Sequence, residues 1–483
     1  MIEMRLADVA AVVGGRLHRT GGDERVTAVE FDSRAIAPGG LFLALPGERV
    51  DGHDFAAAAM AAGAAGVLAA REVDAPSVIV PPAPRSGLVS MAGTYLADSD
   101  PDGSGAAVLA ALARLAGHSV AALPDLTVVG VTGSSGKTST KDLLAAVLDP
   151  LGATVAPPGS LNNELGLPWT ALRADAGTRH LVLEYSARGP RHIATLAAAV
   201  PPRIAVVLNV GSAHLGEFGS VGAIAVAKGE LVEALGPEGV AVLNADDPAV
   251  ASMATRTSAR VVTFGRSRTA TVRAQDVTLD AGRARFTLVG PAGRASVALR
   301  LVGEHHVGNA LAAAAVAFEL GATPDMVAAA LGSAVPVSRW RMEVTDRSDG
   351  VTVINDAYNA NPESMRAALA ALVAHGGGAR RIWAVLGLMG ELGDSAADAH
   401  AGVASAAHDG GVDELLAVGC PAYGVPPEDG ATRVRHVAGV DGALALLRAE
   451  LGPGDVVLVK ASRAAGLDRI ATALTTALPA GAS

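Results

Sequence analysis

Residues 126–140 read LTVVGVTGSSGKTST, and their order of textures decides the fold. A short apolar strand (Val128, Val129, Val131) runs into a glycine-rich turn, and Lys137 and Thr138 lead into the helical stretch KDLLAAVL. Strand, tight turn and helix in this order predict an α/β sheet whose turn cradles phosphates. Backbone N–H groups point into such a turn, the lysine offsets phosphate charge, and the threonine hydroxyl reaches a metal ion. The strict pattern G-x-x-x-x-G-K-[ST] is not met, because Val131 stands where the first glycine belongs. What stands instead is G-x-T-G-x-x-G-K-T, with Gly130, Gly133 and Gly136. Gly133, Ser134, Ser135, Gly136, Lys137, Thr138 and Ser139 are therefore the candidate nucleotide-binding residues.

A chain of 483 residues is too long for one core, and its length suggests about three domains. Half the residues are apolar but only 3% are aromatic, so small aliphatic side chains must do the packing. The formal charge of −10, with no Lys/Arg-rich run, argues against a nucleic-acid partner. One cysteine, Cys420, leaves no internal disulfide and no cysteine metal cluster, and is expected to be a small buried hydrophobe. Glu3 and Asp8 stand where a signal peptide would be apolar, and no run of about 20 strongly apolar residues offers a membrane span. A soluble, cytoplasmic protein is expected.

Three regions differ in texture. Residues 1–122 hold the strand signals VTAVEFDSR and GLFLAL, an Ala-rich helix, and the helical AAVLAALARLAG. Residues 123–335 alternate strands and helices through LTVVGVT, ATVAP, HLVLEYS, RIAVVLNV and GVAVLNADD, which predicts a mostly parallel sheet with helices on both faces. From about 260 to 303 the short alternating segments VVTFG, ATVRAQDVTL, ARFTLVG and ASVALRL predict an antiparallel patch. Residues 336–483 repeat the α/β rhythm with VTVIND, RIWAVLG, ELLAVG and DVVLVKAS. No G-x-G-x-x-G occurs, which removes the main support for hydride transfer.

Ligands of open α/β sheets sit beyond the carboxyl ends of the strands. HLVLEYS delivers Glu184 to that edge, and RIAVVLNV delivers Asn209 and the loop GSAHLGEFGS with His214 and Glu217. Alone, Glu184 is as readily a solvated strand end, and His214 is more often a hydrogen-bonded loop histidine. Sharing an edge with Lys137 and Thr138, they suit Mg²⁺ and phosphoryl chemistry. Lys228, in the helical AIAVAKGEL, reads on its own as a surface lysine.

The motifs GVTGSSGKTST, GSLNNELGLP (159–168), LVLEYSAR, LNVGSAHLGEFGS, LNADDP, GEHHVGNALAAAAVA, SRWRMEV, INDAYNANPESM and LVKASRAAGLDRI together resemble the Mur ligases of peptidoglycan synthesis. They cover all three regions in order. The resemblance implies a three-domain architecture: a UDP-substrate domain (1–122), a central ATP-binding domain built on a phosphate-loop parallel sheet (123–335), and a Rossmann-like domain for the incoming amine (336–483). It implies ATP-dependent amide ligation, in which a peptide carboxylate takes the γ-phosphate of ATP and the resulting acyl phosphate is attacked by an amine. The LNNELGLP and DAYNANP forms look like the branch that joins D-Ala-D-Ala to UDP-MurNAc-tripeptide; no D-N-P motif for a different amino acid is present. A Mur-type ligase for an earlier amino acid and a non-ligating ATP-binding switch are the alternatives.

By the same resemblance Thr138 and Glu184 hold a first Mg²⁺, His214 helps hold a second, and Lys228 matches a lysine that CO₂ converts to a carbamate supporting it. Asn309, Asn244 and Asp246 match positions near the adenine or ribose, and Arg341 and Asp356 match residues that close onto the nucleotide. Asn162 and Asn163 fall near the growing peptide. Tyr358, Asn359 and Asn361 fall near the dipeptide or ATP, with Ser462 and Arg463 as further contacts. Ser33 and Arg34, in FDSRAIAPGGLFLALPG, match a uridine-binding segment. After Glu184 the chain reads EYSARGPRHI, with Gly189 and Pro190 where the family favours His or polar residues; contacts of this loop to peptide or UDP are expected to differ. The chain is expected to act as a monomer that closes its domains around ligands.

Overall fold

The computed structural model describes residues 1–47, 50–82, 100–424 and 432–476. Three main sheets follow one another along the chain. In the first part, β1 (Met4–Arg5) and β3 (Arg25–Val26) pair antiparallel beside helix α1 (Leu6–Val13). Strands β2 (Arg16–His18), β4 (Ala28–Glu30), β5 (Gly40–Leu43), β6 (Gly66–Ala69) and β7 (Ser77–Ile79) form a sheet of order β2-β7-β6-β5-β4. Helix α2 (Ala56–Ala61) covers one face with Ala56 and Ala59 over Phe42, Val67 and Ala69. On the other face Leu41, Leu43, Leu68 and Val78 share a core with α1 and with helix α3 (Ser104–Ala121). By length and mean hydropathy (1.2), α3 could cross a membrane. Here Val108, Leu112, Leu115 and Ala116 are spent in the core joining the first sheet to the second.

The second sheet has nine strands in the order β16-β15-β14-β13-β12-β11-β8-β10-β9. They are β8 (Thr127–Thr132), β9 (Thr154–Val155), β10 (His180–Glu184), β11 (Ile204–Val207), β12 (Val240–Asn244), β13 (Arg260–Gly265), β14 (Val272–Asp280), β15 (Arg283–Gly290) and β16 (Gly293–Val302). Side chains alternate between faces along a strand, and the sequence uses both. Leu181, Leu183, Ala205 and Val207 face helices α5 (Gly166–Ala171), α6 (His192–Ala199) and α8 (Val221–Glu233). Val129, Val131, Val182 and Val206 face α4 (Lys137–Leu148), α10 (His306–Glu319) and α11 (Pro324–Ser333). Burial on both faces makes these strands near-continuous apolar runs, as parallel strands are. Short helices α7 (Leu215–Phe218) and α9 (Pro248–Ala251) sit in the loops after β11 and β12.

The expected antiparallel patch needs one correction. VVTFG forms β13, which is parallel to both β12 and β14; antiparallel pairing begins at β14 and runs through β15 and β16. The alternation in VVTFG reports burial of Val262 and Phe264 on one face, with Arg260 exposed. Periodicity encodes which face is covered, and it is silent on strand direction.

The third sheet has the order β17-β18-β22-β19-β20-β21, parallel except for β17. Its strands are β17 (Glu343–Asp346), β18 (Thr352–Asn355), β19 (Ile382–Leu386), β20 (Glu414–Val418), β21 (Arg433–Val437) and β22 (Val456–Lys460). Helices α12 (Pro362–Gly376) and α13 (Ala396–Asp409) cover one face, and α14 (Val440–Glu450) and α15 (Asp468–Thr475) the other. Cys420 is buried, as expected of a small hydrophobe.

Candidate active site

The phosphate turn lies at the centre of the second sheet, because β8 is flanked by β11 and β10. Register sets Glu184 beside Val131 and Val207 beside Thr132, so three strands end level. Gly136 is the N-cap of α4 at φ 80°, and a Cβ there would stand 2.7 Å from the Asn309 side-chain oxygen. Only glycine fits both the left-handed backbone and the gap. The first N–H groups of α4 have no side-chain cap, leaving the helix N-terminus open to an anion.

Below the turn, a chain of polar groups joins Thr138 to Glu184. The Thr138 hydroxyl donates to Ser160 Oγ at 3.3 Å, and Ser160 donates to Glu184 Oε2 at 3.3 Å. Asn162 Nδ2 donates to Ser160 Oγ at 3.0 Å and to Glu184 Oε2 at 3.4 Å. Glu184 is fully buried, and its Oε1 has no hydrogen-bond partner. An ionised carboxylate oxygen buried without a donor is costly unless a cation meets it. Lys137 Nζ donates to the Gly133 carbonyl at 2.6 Å. Burial lowers its pKa to about 8, with Glu184 opposing the shift and Arg341 adding to it.

The loop after β11 runs beside the turn. Asn209 Oδ1 accepts from Ser135 N–H at 2.9 Å, and Gly211 N–H donates to Ser134 Oγ at 2.8 Å. His214 sits at φ 62°, a strained backbone for a non-glycine. Its Nδ1 lies 2.6 Å from Glu391 and 3.8 Å from Glu217. The three side chains offer ligand atoms within 4.8 Å of one another, a donor set suited to a hard divalent cation. Lys228 corrects its reading as a surface residue. It projects from α8 into the protein, is 4% exposed, and its pKa is driven well below 10.5, first by burial and then by Lys137.

The third sheet brings the opposite wall. Arg341 Nη2 donates to Thr138 Oγ1 at 3.2 Å, and its guanidinium stacks 4.2 Å from the Tyr358 ring centre. Trp340 and Met342, on either side of it, are both left-handed, at φ 60° and 50°. Asp356 holds this segment: one carboxylate oxygen accepts Met342 N–H at 3.1 Å, and the other meets buried Lys460 Nζ at 2.6 Å. Lys460 also donates to the Asn359 carbonyl at 2.9 Å, fixing the loop of Tyr358, Asn359 and Asn361. Asn361 caps α12 and reaches the Ser134 carbonyl at 3.5 Å. Upstream, buried Lys141 donates to the Pro157 carbonyl at 2.8 Å and to Ser338 Oγ at 3.1 Å, and Ser338 donates to Asp142. That network ties the connection between α11 and β17, the hinge between the second and third sheets, to helix α4.

These walls enclose a cavity of about 1280 Å³. It is lined by Ser134, Ser135, Gly136, Lys137, Thr138 and Ser139, by Asn162 and Asn163, and by His214 and Asn309. From the hinge comes Arg341, and from beyond it Asp356, Tyr358, Asn359, Asn361, Ser462 and Arg463. Glu184 and Lys228 are buried and do not line the cavity; Ser33 and Arg34 stand apart from it, Arg34 paired with Asp32 and 88% exposed. Next to the cavity, a pocket of about 380 Å³ is lined by Asp246, Arg266, Leu279, His305, Val307 and Leu311. His305 lines both, and burial lowers its pKa to about 4.

Sequence reasoning missed Ser160, Glu164, His192, Glu363, Glu391 and Lys460, all of which line the cavity. His192 Nε2 lies 2.5 Å from Glu164, so the departing loop EYSARGPRHI is pinned to the LNNELGLP segment. Lys460 had a signal, a charge ending the apolar VVLVK at a carboxyl edge. Glu391 and Glu363 had none short of the tertiary fold.

Three Mur ligase family models match the chain: "Mur ligase family, catalytic domain" at residues 25–115, "Mur ligase middle domain" at 131–317, and "Mur ligase, glutamate ligase domain" at 340–463. UDP-N-acetylmuramoyl-tripeptide–D-alanyl-D-alanine ligase of Mycobacterium tuberculosis is 56% identical over 98% of both chains. The Escherichia coli ligase of the same name is 34% identical over 98% of this chain and 99% of its own. Among solved structures, MurF from Acinetobacter baumannii superposes with a TM-score of 0.83 at 30% identity, over 98% of this chain and 99% of that one. MurF ligase from Thermotoga maritima in complex with ADP gives 0.74 at 28% identity, over 92% and 96%.

Proposed function

This chain belongs to the Mur ligase family, and from that premise we infer that it is the ATP-dependent ligase joining D-Ala-D-Ala to UDP-MurNAc-tripeptide. The product is the UDP-linked pentapeptide of peptidoglycan synthesis, with ADP and phosphate released. The observation that carries the reading is one cavity walled together by the phosphate turn, the Asn162–Asn163 segment and the Tyr358–Asn361 loop. Three reactants must converge for this ligation; the first two elements come from the second sheet's part of the chain and the third from the third sheet's part. The shared ligase name of full-length relatives sets aside the two alternatives, an earlier amino-acid addition and a non-ligating switch.

We assign residues 1–122 to the UDP-bearing substrate, 123–335 to ATP and 336–483 to the dipeptide. The tripeptide's terminal carboxylate oxygen attacks the γ-phosphorus of ATP, and the bond to the bridging oxygen of ADP breaks. The dipeptide's neutral amine nitrogen then attacks the acyl-phosphate carbonyl carbon; phosphate leaves, and the nitrogen loses a proton. Lys137, the open N-terminus of α4 and Arg341 hold negative charge as two anions meet. Asn162 and Asn163 orient the peptide carboxylate, and Tyr358, Asn359 and Asn361 the incoming dipeptide. Phe31 packs edge-on against Trp169 at 5.6 Å, which sets the Ser33–Arg34 segment beside the helix that follows Asn163. That contact supports a substrate lying from Ser33 and Arg34 at its UDP end to the cavity at its peptide end.

The polar groups fit Mg²⁺. Glu184, with its orphaned buried oxygen, and Thr138 would hold one ion; His214 would hold a second, supported by a carbamate on Lys228. Bound there, Mg²⁺ supplies charge screening between attacking carboxylate and phosphates. A carbamate needs an unprotonated amine, and burial of Lys228 favours that form. Asp246, Leu279, Val307 and Leu311 of the smaller pocket, near Asn309, suit the adenosine of ATP. The cavity is lined by residues of a single chain, which supports a monomer, and nucleotide-linked substrates support a cytoplasmic site of action.

The test is isotopic. Tripeptide carrying ¹⁸O in its terminal carboxylate should deliver one ¹⁸O to the released phosphate. Phosphate free of label would overturn the acyl-phosphate route.

A further inference from the structure

The loop 208–216, which carries His214, is fixed from two sides. Its first half belongs to the phosphate turn: Asn209 Oδ1 accepts from Ser135 N–H, Gly211 N–H donates to Ser134 Oγ, and Val210 N–H donates to Asp247 at 2.8 Å. Its second half is gripped from beyond the hinge. Ser212 N–H and Ser212 Oγ donate to the two oxygens of Glu363 at 2.9 and 3.0 Å. Gly216 N–H donates to the Glu391 carbonyl at 3.1 Å, while the Glu391 carboxylate meets His214.

Both glycines of the loop, Gly211 and Gly216, are sites of close approach. A Cβ on Gly211 would stand 2.9 Å from the Glu363 carboxyl carbon, and one on Gly216 would stand 2.8 Å from Gly393 N. Between them His214 is left-handed, and so is Glu391, both at φ 62°. A non-glycine residue keeps such a backbone only where its surroundings over-determine it. Here those surroundings are supplied from beyond the hinge, through the first turn of α12, where Glu363 sits next to the Asn361 cap.

We propose that Glu363 is a positioning residue for His214: docking of the C-terminal part, through the bidentate Glu363–Ser212 contact, sets the loop that presents the imidazole. The second cation site is thereby completed by domain closure, so the arrival of the dipeptide-bearing part and the loading of that site are coupled. The proposal rests on the reading of His214 as a ligand of the second ion.

The test counts Mn²⁺ by electron paramagnetic resonance on the full chain with β,γ-methylene-ATP and UDP-MurNAc-tripeptide. The Glu363→Ala variant should weaken the second of two Mn²⁺ sites by about 10-fold or more, the usual cost of losing a group that orients a ligand. Glu363→Gln keeps one acceptor and should recover most of the affinity. Amide exchange across 211–218 should quicken in the alanine variant and not in the glutamine one. Gly211→Ala, which pushes Glu363 away from the opposite side, should reproduce the alanine result and carries the test should Glu363→Ala fold poorly. If His214→Ala loses the second ion while Glu363→Ala and Gly211→Ala keep it, the proposal is overturned and His214 stands as a ligand. If His214→Ala itself keeps both ions tightly, the reading of His214 falls and the proposal with it.

Discussion

Replacing Lys228 by methionine should raise stability and lower activity in the same molecule. Lys228 is 4% exposed and makes no hydrogen bond or ion pair among the described residues. Its ammonium is disfavoured by burial and by Lys137, so its pKa lies well below 10.5. The unfolded chain therefore binds more protons than the folded one between that lowered value and 10.5, and stability rises with pH across this window. At pH 7 the native state either strips the proton or buries a charge. Stripping it costs about 1.4 kcal/mol for each pH unit below 10.5, a ceiling of about 5 kcal/mol. Methionine has nearly the same length and no charge, so Lys228→Met should recover part of that ceiling. Across a region of about 200 residues, each kcal/mol moves the midpoint by about 2–4 °C, so a measurable rise in the midpoint is expected in CO₂-free buffer. Ligase turnover at limiting Mg²⁺ should fall by about 10- to 100-fold, because the support for the second ion is gone. In ¹³C-bicarbonate the native chain should show a carbamate resonance that the variant lacks. A variant no more stable than the native chain would refute the burial argument; full turnover at limiting Mg²⁺ would refute the carbamate.

Asp356→Asn should cost about 3–5 kcal/mol at pH 7, because it leaves Lys460 buried without its counter-ion. Burial already holds the Lys460 pKa below 10.5, so the deficit should shrink as pH rises toward about 9.5 in urea titrations; an equal deficit at both pH values would contradict this. ADP affinity should be flat below pH 8 and fall by up to about tenfold per pH unit above it, as Lys137 loses the proton that phosphate requires. Calorimetry in two buffers should show proton uptake on binding at high pH, and a flat profile to about pH 9.5 would count against Lys137 as the phosphate cation. Gly136→Ala sets a Cβ 2.7 Å from Asn309 Oδ1 at a left-handed position, a strain of about 1–3 kcal/mol, and should weaken ADP binding by about tenfold. Native-like affinity in that variant would mean that the turn does not hold the nucleotide.

The parts of this protein legible in sequence are those that local pattern writes. The run TVVGVT, buried on both faces, announces a parallel strand, and glycines before Lys137 announce the turn that follows. Glu184, Asn209 and His214 follow because strand ends in such a sheet share an edge. Direction was not legible in VVTFG, since alternation reports a covered face only. Burial was not legible at Lys228, whose helix α8 carries apolar residues nearly all round, so no face stands out as the buried one. Lys141 and Lys460 share that history: both are 2% exposed, and each meets an oxygen of a residue about 100 to 200 positions away. The hinge Trp340–Met342 shows no glycine to betray its left-handed turns. Its conformation is imposed by Asp356 and by the Arg341–Tyr358 stack, which exist only when β17 and β18 of the third sheet have paired.

ATP should be cleaved only as a peptide bond to D-Ala-D-Ala is made. The most direct measurement follows ADP and UDP-MurNAc-pentapeptide together, with ATP, Mg²⁺, UDP-MurNAc-tripeptide and D-Ala-D-Ala supplied in every combination. Sustained ADP release that needs both peptides and matches the pentapeptide one for one is the predicted result. Steady ADP release without the dipeptide, or release without amide product, would contradict it.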